Sequence, residues 1–399
     1  MSLAIPNSKA LIAAIIAIAI IAGVAAGLYL TNQPSGEVQK VRLLVATAGD
    51  VNMLALFQNV VAPEFEKRYP QVEVSVIHTG PGDAGSRTIF EKLKAAKDAG
   101  KACWDIDVAI VHQIFMTWAM QEDILLPYAK NLSTWKNAKD LDIAKNALGV
   151  NVEGYVMPMF RSQIAIAYNP KYVPNPPKSY EELVEWVKQH PGKFGYNGIK
   201  GGMSGVGFVV GWVYWKTGLY DVYAKGPLDE KHMAGWEKVF QELKEFNKYV
   251  RITAGNVGTL DMLNKEEIWM GPVWVDMFYT FISEGKLNPN MRLILISPGL
   301  PGQPMYFVIP KKPCNLEWAL KFVEFMTSPE IQAKIIVEKY NWYPGIDPNA
   351  VMPYVSEEAK QRLFRDITPE DLKTKGLVFP LNRYYQEMLN AYIKYVEGG

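Results

Sequence analysis

The residues whose spacing is most suggestive of chemistry are at 80–85, where the sequence GPGDAG matches G-x-G-x-x-G. Between a strand and a helix, such glycines bring backbone N–H groups close to a bound phosphate or another polar group. A dinucleotide site would also need an acidic residue after the strand at 106–111, where the chain reads VHQ. We therefore expect Asp83, Ser86 and Arg87 to contact a different polar ligand, with a tight turn that binds nothing as the alternative.

Motifs typical of enzymes are missing from this sequence. The four histidines are not spaced as H-E-x-x-H, and there is no Walker A phosphate loop, so a partner would have to hydrolyse any ATP. The segment 202–204 resembles a nucleophile elbow, but Val206 stands where the final glycine is needed. Paired carboxylates for glycoside hydrolysis depend on three-dimensional separation and stay open. We predict no catalytic residue, no cofactor and no metal site.

Acidic and aromatic residues near chain turns suggest contacts with a solute instead. Asp50, Asp83 and Asp276 could converge on a polyamine, whose binding needs several carboxylates. Trp274 follows a Gly-Pro pair and Trp342 precedes Pro-Gly, and a tryptophan in such a loop can stack on a sugar ring or a cation. Packing at the base of the loop is the alternative for both tryptophans.

One further aromatic pair, Tyr384-Tyr385, lies late in the chain. These tyrosines share a helical spacing with Leu381, Met388 and Tyr392. That spacing favours packing along a helix over metal binding.

The composition bounds the class of protein. A chain of 399 residues with 49% hydrophobic and 21% charged residues predicts two or three folded domains. The net charge of +1, without a long basic run, argues against nucleic acid as a partner. Cys103 and Cys314 can either form one disulfide in an exported protein or be small buried apolar residues.

The N-terminal segment is different in character from the rest. Residues 10–30 contain no charged side chain and, as a helix, would span about 30 Å, one bilayer core. We predict a leader at 1–10, a transmembrane anchor at 11–30 and a polar linker at 31–40. The protein would then be a single-pass protein of the cell membrane, with its folded part outside. A filament-forming surface protein is the alternative from another class.

The elements after the linker alternate between strands and helices. Apolar runs at Val41–Thr47, Val72–His78 and 106–111 predict buried parallel strands, each followed by a helical pattern; the second of these helices is expected from about residue 87 to residue 99. In such sheets ligands bind at the carboxyl ends of the strands. The loops at 47–50, 80–86 and 111–114 therefore belong to one predicted binding edge.

A proline-rich stretch at 160–186 connects this unit to a second one. It combines a strand at 163–168, three prolines and a helix that Ser179 can cap with Glu182. A second Pro/Gly-rich passage at 297–304 returns the chain, followed by a strand predicted at 306–310. We predict lobe 1 at 41–162 and 302–350, lobe 2 at 163–301, and C-terminal helices at 351–399 that pack on both lobes. Two crossings of this kind form a hinge beside a ligand cleft.

Three segments carry a resemblance to a known family. PPKSYEELVEWVKQHPGKFGY, IAIAYNPKYV and YFVIPKKPCNLEWALKFVEFMTSPEIQAKII resemble the hinge and late strand–helix passages of extracellular solute-binding proteins of ABC importers. Their order and spacing extend the resemblance over about residues 41–396. It implies an α/β fold of two lobes, the type II periplasmic-binding-protein fold of the family 1 group. The N-terminal anchor and a pilin-type leader around Lys9 are similar to archaeal versions.

The resemblance also implies the binding role and its residues. A small solute would be held between the lobes and delivered to permease and ATPase subunits. A carbohydrate is the favoured solute, with a polyamine, thiamine or ferric iron as alternatives. A ferric site in this family uses adjacent tyrosines, for which Tyr384-Tyr385 would be the candidate pair. The implied ligand contacts are Asp50, Asp83, Ser86, Arg87, His112, Arg161, Ser162, Ser204, Phe208, Trp274, Asp276, Trp342 and Tyr343.

Overall fold

The computed structural model describes residues 40–398. The predicted leader, the transmembrane anchor and nearly all of the linker lie outside the described residues. Within 40–398, no helix has both the length and the apolar character needed to cross a membrane.

The first α/β unit is built on strand β1, Val41–Thr47. Helix α1 follows at 51–68 with a π-helical turn at Phe57–Val61, then come strand β2 at Val72–His78, helix α2 at Gly82–Asp98, strand β3 at Val108–His112 and helix α3 at Gln113–Ala119. Strand β1 pairs in parallel with both β2 and β3. Leu43, Val45 and Ala46 are fully buried, which explains the nearly continuous apolar sequence of this strand. The predicted parallel strand–helix unit is confirmed.

Helix α2 begins earlier than the sequence predicted. It starts at Gly82 rather than near residue 87, so Asp83 and Ser86 lie on a helix and not in a loop. The reason is a close approach of two backbones: a Cβ on Gly85 would lie 2.0 Å from the carbonyl oxygen of Gly80. The glycines of the G-x-G-x-x-G pattern therefore let a helix begin directly after a strand.

The hinge consists of two long strands. Strand β4, Met157–Tyr168, begins six residues before the predicted strand. Its next partner in the sheet, β7 at Leu300–Val308, covers most of the Pro/Gly-rich return passage, where no strand was predicted before residue 306. These strands pair antiparallel between Met157 and Gln163, and beyond Gln163 strand β4 pairs with the strands of lobe 2. Both crossings therefore belong to one continuous sheet.

Lobe 2 is largely helical. Helix α4 at Tyr180–Gln189 begins as predicted, since Ser179 Oγ accepts a hydrogen bond from the Glu182 backbone N–H at 3.1 Å. The remaining elements are α5 at Met203–Thr217, α6 at Tyr220–Lys225, α7 at Trp236–Asn247, α8 at Gly255–Asn264, β5 at Met270–Trp274, α9 at Val275–Ser283 and β6 at Arg292–Ile294. Strands β5 and β6 pair antiparallel with the second half of β4. A small parallel bridge joins Gly195–Tyr196 to Arg251–Ile252.

The chain after β7 returns to lobe 1 and then covers the hinge. Its elements are α10 at Leu316–Met326, α11 at 329–339, β8 at Tyr343–Pro344, α12 at Pro348–Val351, α13 at Glu357–Leu363, α14 at Pro369–Lys375, β9 at Gly376–Val378 and α15 at Asn382–Tyr392. Strand β8 pairs with β4, and β9 pairs in parallel with β7. The resulting sheet has the order β6-β4-β7-β3-β1-β2 along its main path. The C-terminal segment is thus hydrogen-bonded to the hinge itself.

Of the two alternatives for the cysteines, the structure has the disulfide. Cys103 and Cys314 are bonded, with their Cα atoms 4.9 Å apart. The bond joins the segment before β3 to the segment before α10. It therefore crosslinks two parts of lobe 1 that are 211 residues apart in sequence.

Candidate functional site

A cavity lies between the lobes at the carboxyl ends of β1 and β3, where the sequence predicted the binding edge. We call it the front cavity, and its volume is about 60 Å³. Its walls include Asp50, His112, Phe160, Ser162, Trp274, Asp276 and Trp342. Ligand pockets usually measure roughly 300–1,000 Å³. The lobes are therefore closed on each other in this structure.

Asp276 is the most deeply buried carboxylate of the front cavity. It lies in the first turn of α9, directly after β5, with 5% of its surface exposed. Its Oδ1 accepts a hydrogen bond from Ser162 Oγ. Burial raises the pKa of Asp276 to about 7, hydrogen bonds from Ser162 and Trp342 oppose the shift, and the Asp50 carboxylate adds to it. A carboxyl group with this pKa changes its charge near neutral pH.

Asp50 connects the two lobes through Asn256. The Asn256 Nδ2 group donates to Asp50 Oδ2 at 2.9 Å, and its Oδ1 accepts from Ser204 Oγ at 2.7 Å. Ser204 is fully buried and so acts on the cavity through Asn256, which it orients. Gly202, next to these residues, has a φ of +146° and lies against the Asn256 side chain, where a Cβ would come within 2.6 Å.

Asp83 and His112 form a second polar group at the edge of the front cavity. His112 Nδ1 lies 3.2 Å from Asp83 Oδ1, and Tyr385 Oη donates to Asp83 Oδ2 at 2.9 Å. The buried Ser86 Oγ accepts from the His112 backbone N–H at 3.0 Å. His112 lines the cavity, Asp83 supports it, and Ser86 fixes the end of β3.

The two tryptophans of the front cavity have different surroundings. Trp342 is stacked between Phe160, at 4.2 Å between ring centroids, and Tyr340, at 5.3 Å. Only 2% of its surface is exposed, so both faces of its indole are already covered. Trp274 lines the cavity and has no aromatic partner among residues 40–398. Trp274 is therefore the better candidate for stacking on a ligand.

Four of the predicted ligand contacts lie away from the front cavity. Phe208 is fully buried in α5 and packs against aromatic rings of lobe 2, such as Tyr196 at 5.0 Å. Arg87 is half exposed on α2, where it pairs with a glutamate one turn on and lies over the Trp118 ring. Arg161 and Tyr343 line a different cavity on the opposite face of β4. Neighbouring residues of a strand point to opposite faces. Ser162 lies at the border of both cavities, whereas Arg161 lines only the second one.

Several residues of the front cavity were not predicted from the sequence. They are Met53, Phe160, Gly202, Met203, Asn256, Met277, Gln303 and Met305. Met53 could have been found, because it is in the first helical turn after Asp50. Gln303 and Met305 could not, since both precede the strand that was predicted to begin at residue 306. Asn256 was missed because it lies in the first turn of α8, far in sequence from the strand ends that were used to predict the site.

The tyrosine pair considered for iron is part of the helix packing. Tyr384 and Tyr385 are both buried in α15, and their hydroxyl groups point to different partners. Tyr384 Oη accepts from the Asp229 backbone N–H, whereas Tyr385 Oη donates to Asp83. Among residues 40–398, no group of three or more His, Cys, Asp or Glu side chains is arranged to hold a metal ion.

A family model described as "Bacterial extracellular solute-binding protein" matches residues 61–354. The chain belongs to this family. The predicted two-lobed α/β fold is confirmed by the structure. The family confirms the prediction of an extracellular solute-binding protein, and not an enzyme, as the class of protein. Among curated protein sequences, none matches this chain.

Solved structures share the fold over nearly the whole chain. A solute-binding protein of Thermotoga lettingae bound with α-D-tagatose has a TM-score of 0.68 and 19% identity, covering 90% of this chain and 94% of its own. A spermidine/putrescine-binding protein of Streptococcus pneumoniae has a TM-score of 0.63 and 16% identity, covering 90% and 100%. A periplasmic thiamin-binding protein has a TM-score of 0.60 and 18% identity, covering 91% and 98%.

Proposed function

We propose that the front cavity captures an organic cation and that the protein delivers it to the permease of an ABC importer. The observation that supports this solute class is the charge of the cavity wall. The wall contains Asp50 and Asp276 and neither lysine nor arginine. Asp83 adds a third carboxylate beside His112.

A bound cation would offset the cost of burying these carboxylates. Burial disfavours the ionised form of Asp276, and a positive charge within hydrogen-bonding distance restores it. The indole face of Trp274 adds a second attraction, because aromatic faces bind cations. A neutral solute would not compensate the charge of Asp276, and it would not gain the attraction between a cation and the Trp274 ring.

A carbohydrate, which the sequence favoured, is the second candidate. Ser162, Asn256 and Gln303 offer hydroxyl and amide groups that can bind sugar hydroxyls, and Trp274 can stack on a sugar ring. Related structures include both a protein bound with tagatose and a spermidine/putrescine-binding protein. The excess of carboxylates over cationic side chains favours the cation.

Solute entry requires the lobes to separate. The bonds from Asn256 to Asp50 and from Tyr385 to Asp83 bridge the front of the cleft. Bending of β4 and β7 at the hinge would break them and widen the cavity. After closure, polar groups of the solute would take part in the same network.

The N-terminal segment would hold this binding unit at the outer face of the cell membrane. The apolar run at 11–30 has the length of one membrane span, and 31–40 is polar enough for a tether. An archaeal origin would agree with such an anchor. Protease accessibility of the folded part on intact cells, with retention of the chain in the membrane fraction, tests this arrangement.

A thermal-shift screen with the full-length protein tests the solute class. The panel contains putrescine, spermidine, thiamine and a set of neutral sugars, each at several concentrations. A solute that binds only the folded state raises the melting temperature, and the rise grows with the logarithm of the ratio of its concentration to Kd. Stabilisation by cations alone supports the proposal. Stabilisation by sugars alone would move the protein to the second candidate.

A further inference from the structure

A second and larger cavity lies behind the hinge. We call it the rear cavity; its volume is about 800 Å³. Strand β4 lies between it and the front cavity, with Phe160 facing the front and Arg161 facing the rear; Ser162 and Gln303 border both cavities. The chain from α12 to β9 forms its outer wall, and α6 of lobe 2 closes one end. Nothing in the proposed transport of a cation uses this space.

Arg161 projects into the rear cavity without a partner. Its side chain has a large exposed surface, yet burial by the surrounding protein lowers the pKa of its guanidinium. These two observations are consistent if the exposed surface of Arg161 faces the cavity and not the bulk solvent. Within residues 40–398, Arg161 makes no ion pair and its guanidinium donates no hydrogen bond; Asp142 lines the same cavity without pairing with it. A guanidinium has five N–H donors, so Arg161 can donate several hydrogen bonds to a molecule in the cavity.

Tyr343 supplies a second unsatisfied group next to Arg161. The two residues are direct partners in the pairing of β8 with β4, so their side chains share one face. Tyr343 is 8% exposed, and its buried Oη has no hydrogen-bond partner in the described part of the chain. An unpaired guanidinium and an unpaired hydroxyl side by side match the two oxygens of a carboxylate or phosphate.

The remaining wall combines positive charge with apolar surface. Lys145 and Lys373 line the rear cavity and form no ion pair within residues 40–398, so the cavity carries more positive than negative charge. Phe364, which stacks on Tyr343 at 5.9 Å, and Phe379 contribute apolar surface. This wall has the opposite charge to that of the front cavity.

We propose that the rear cavity is a second binding site, specific for a small organic anion with an aromatic or other apolar body. The carboxylate or phosphate accepts hydrogen bonds from Arg161 and Tyr343. The apolar body packs against Phe364 and Phe379. The acidic front cavity would repel the same molecule.

Equilibrium dialysis of the full-length protein against benzoate, indole-3-carboxylate and phenyl phosphate tests this site. At least one probe should bind with one molecule per chain, and benzamide should bind more weakly than benzoate. Arg161→Gln should weaken binding about tenfold or more, because a charge-assisted hydrogen bond is lost. Tyr343→Phe keeps the ring and should weaken binding about threefold, as expected for one neutral donor.

Arg42→Gln is the matched control, since Arg42 is an exposed arginine on β1 outside both cavities. The Arg42→Gln variant should bind the probes with the same affinity as the unchanged protein. The proposal is overturned if no probe binds, if benzamide binds as tightly as benzoate, or if Arg161→Gln has no effect. An equal loss in Arg42→Gln would also overturn it, because the attraction would then come from net charge alone.

Discussion

Replacing Asp276 by asparagine should stabilise the ligand-free protein at neutral and alkaline pH. Burial raises the pKa of this carboxyl from 3.8 to about 7. A difference of roughly 3 pKa units corresponds to about 4 kcal/mol between the folded and unfolded states. Asparagine resembles the protonated carboxyl in shape and can still accept a hydrogen bond from Ser162, but it does not ionise.

The direction of the pH effect follows from proton binding. Between pH 4 and pH 7 the folded state keeps the proton of Asp276, whereas the unfolded state has lost it. The free energy of unfolding therefore falls as pH rises through this range. Below pH 4 both states are protonated and the cost is absent; above pH 7 the full cost of about 4 kcal/mol is present.

The effect is measured by urea denaturation. The full-length protein and the Asp276→Asn variant are compared at half-unit steps from pH 4 to pH 8. The difference in unfolding free energy between the two proteins should change by about 4 kcal/mol in favour of the variant across this range. Asp105→Asn, at a carboxylate whose side chain is 74% exposed, should show no comparable change. A difference that stays constant with pH would refute the raised pKa and the reasoning built on it.

Three further outcomes are expected. Trp274→Ala should weaken solute binding by about 1–2 kcal/mol in calorimetry, which is the free energy of a cation–π interaction with an indole ring. An unchanged Kd would show that Trp274 only packs against the protein. Asn256→Ala removes the charge-assisted bond to Asp50, so X-ray scattering should show a larger radius of gyration for the ligand-free protein; identical scattering would argue against this bridge. Reduction of the disulfide between Cys103 and Cys314 should lower the free energy of unfolding by about 3–5 kcal/mol in urea denaturation, because the disulfide closes a long loop. Equal stability with and without reductant would contradict a stabilising role of the disulfide.

The first α/β unit could be predicted from the sequence because its elements are marked locally. Val41–Thr47 and Val72–His78 are apolar runs bounded by polar or glycine residues, and their observed bounds agree with the predicted ones. The helix capped by Ser179 was equally local, since the cap depends on residues three positions apart. Such signals need no knowledge of distant partners.

The hinge was harder to predict because prolines argue against a central strand. Pro301 and Pro304 belong to a passage for which no strand was predicted, yet both lie inside β7. This strand pairs with β3 only from Met305 onward, so the prolines occupy the part that β3 leaves unpaired. The pairing partner that makes a strand possible here is more than a hundred residues away in sequence.

The site was predicted in its position but only partly in its members. Asp50, His112, Trp274 and Asp276 follow strand ends and reach the front cavity as expected. The face on which Arg161 lies depends on the alternation within β4, which cannot be assigned without the register. One of the two rings that cover Trp342 belongs to Phe160, which is far away in sequence, so the sequence alone did not show that both faces of the indole are covered.

The most direct test of the central claim is the affinity of the full-length protein for organic cations and for neutral sugars as a function of pH. If Asp276 must be ionised to hold a cation, calorimetry should show one bound cation per chain and an affinity that falls about tenfold between pH 8 and pH 6. Neutral sugars should bind weakly at both values. Tight binding of a neutral sugar with the same Kd at pH 6 and pH 8 would contradict the account.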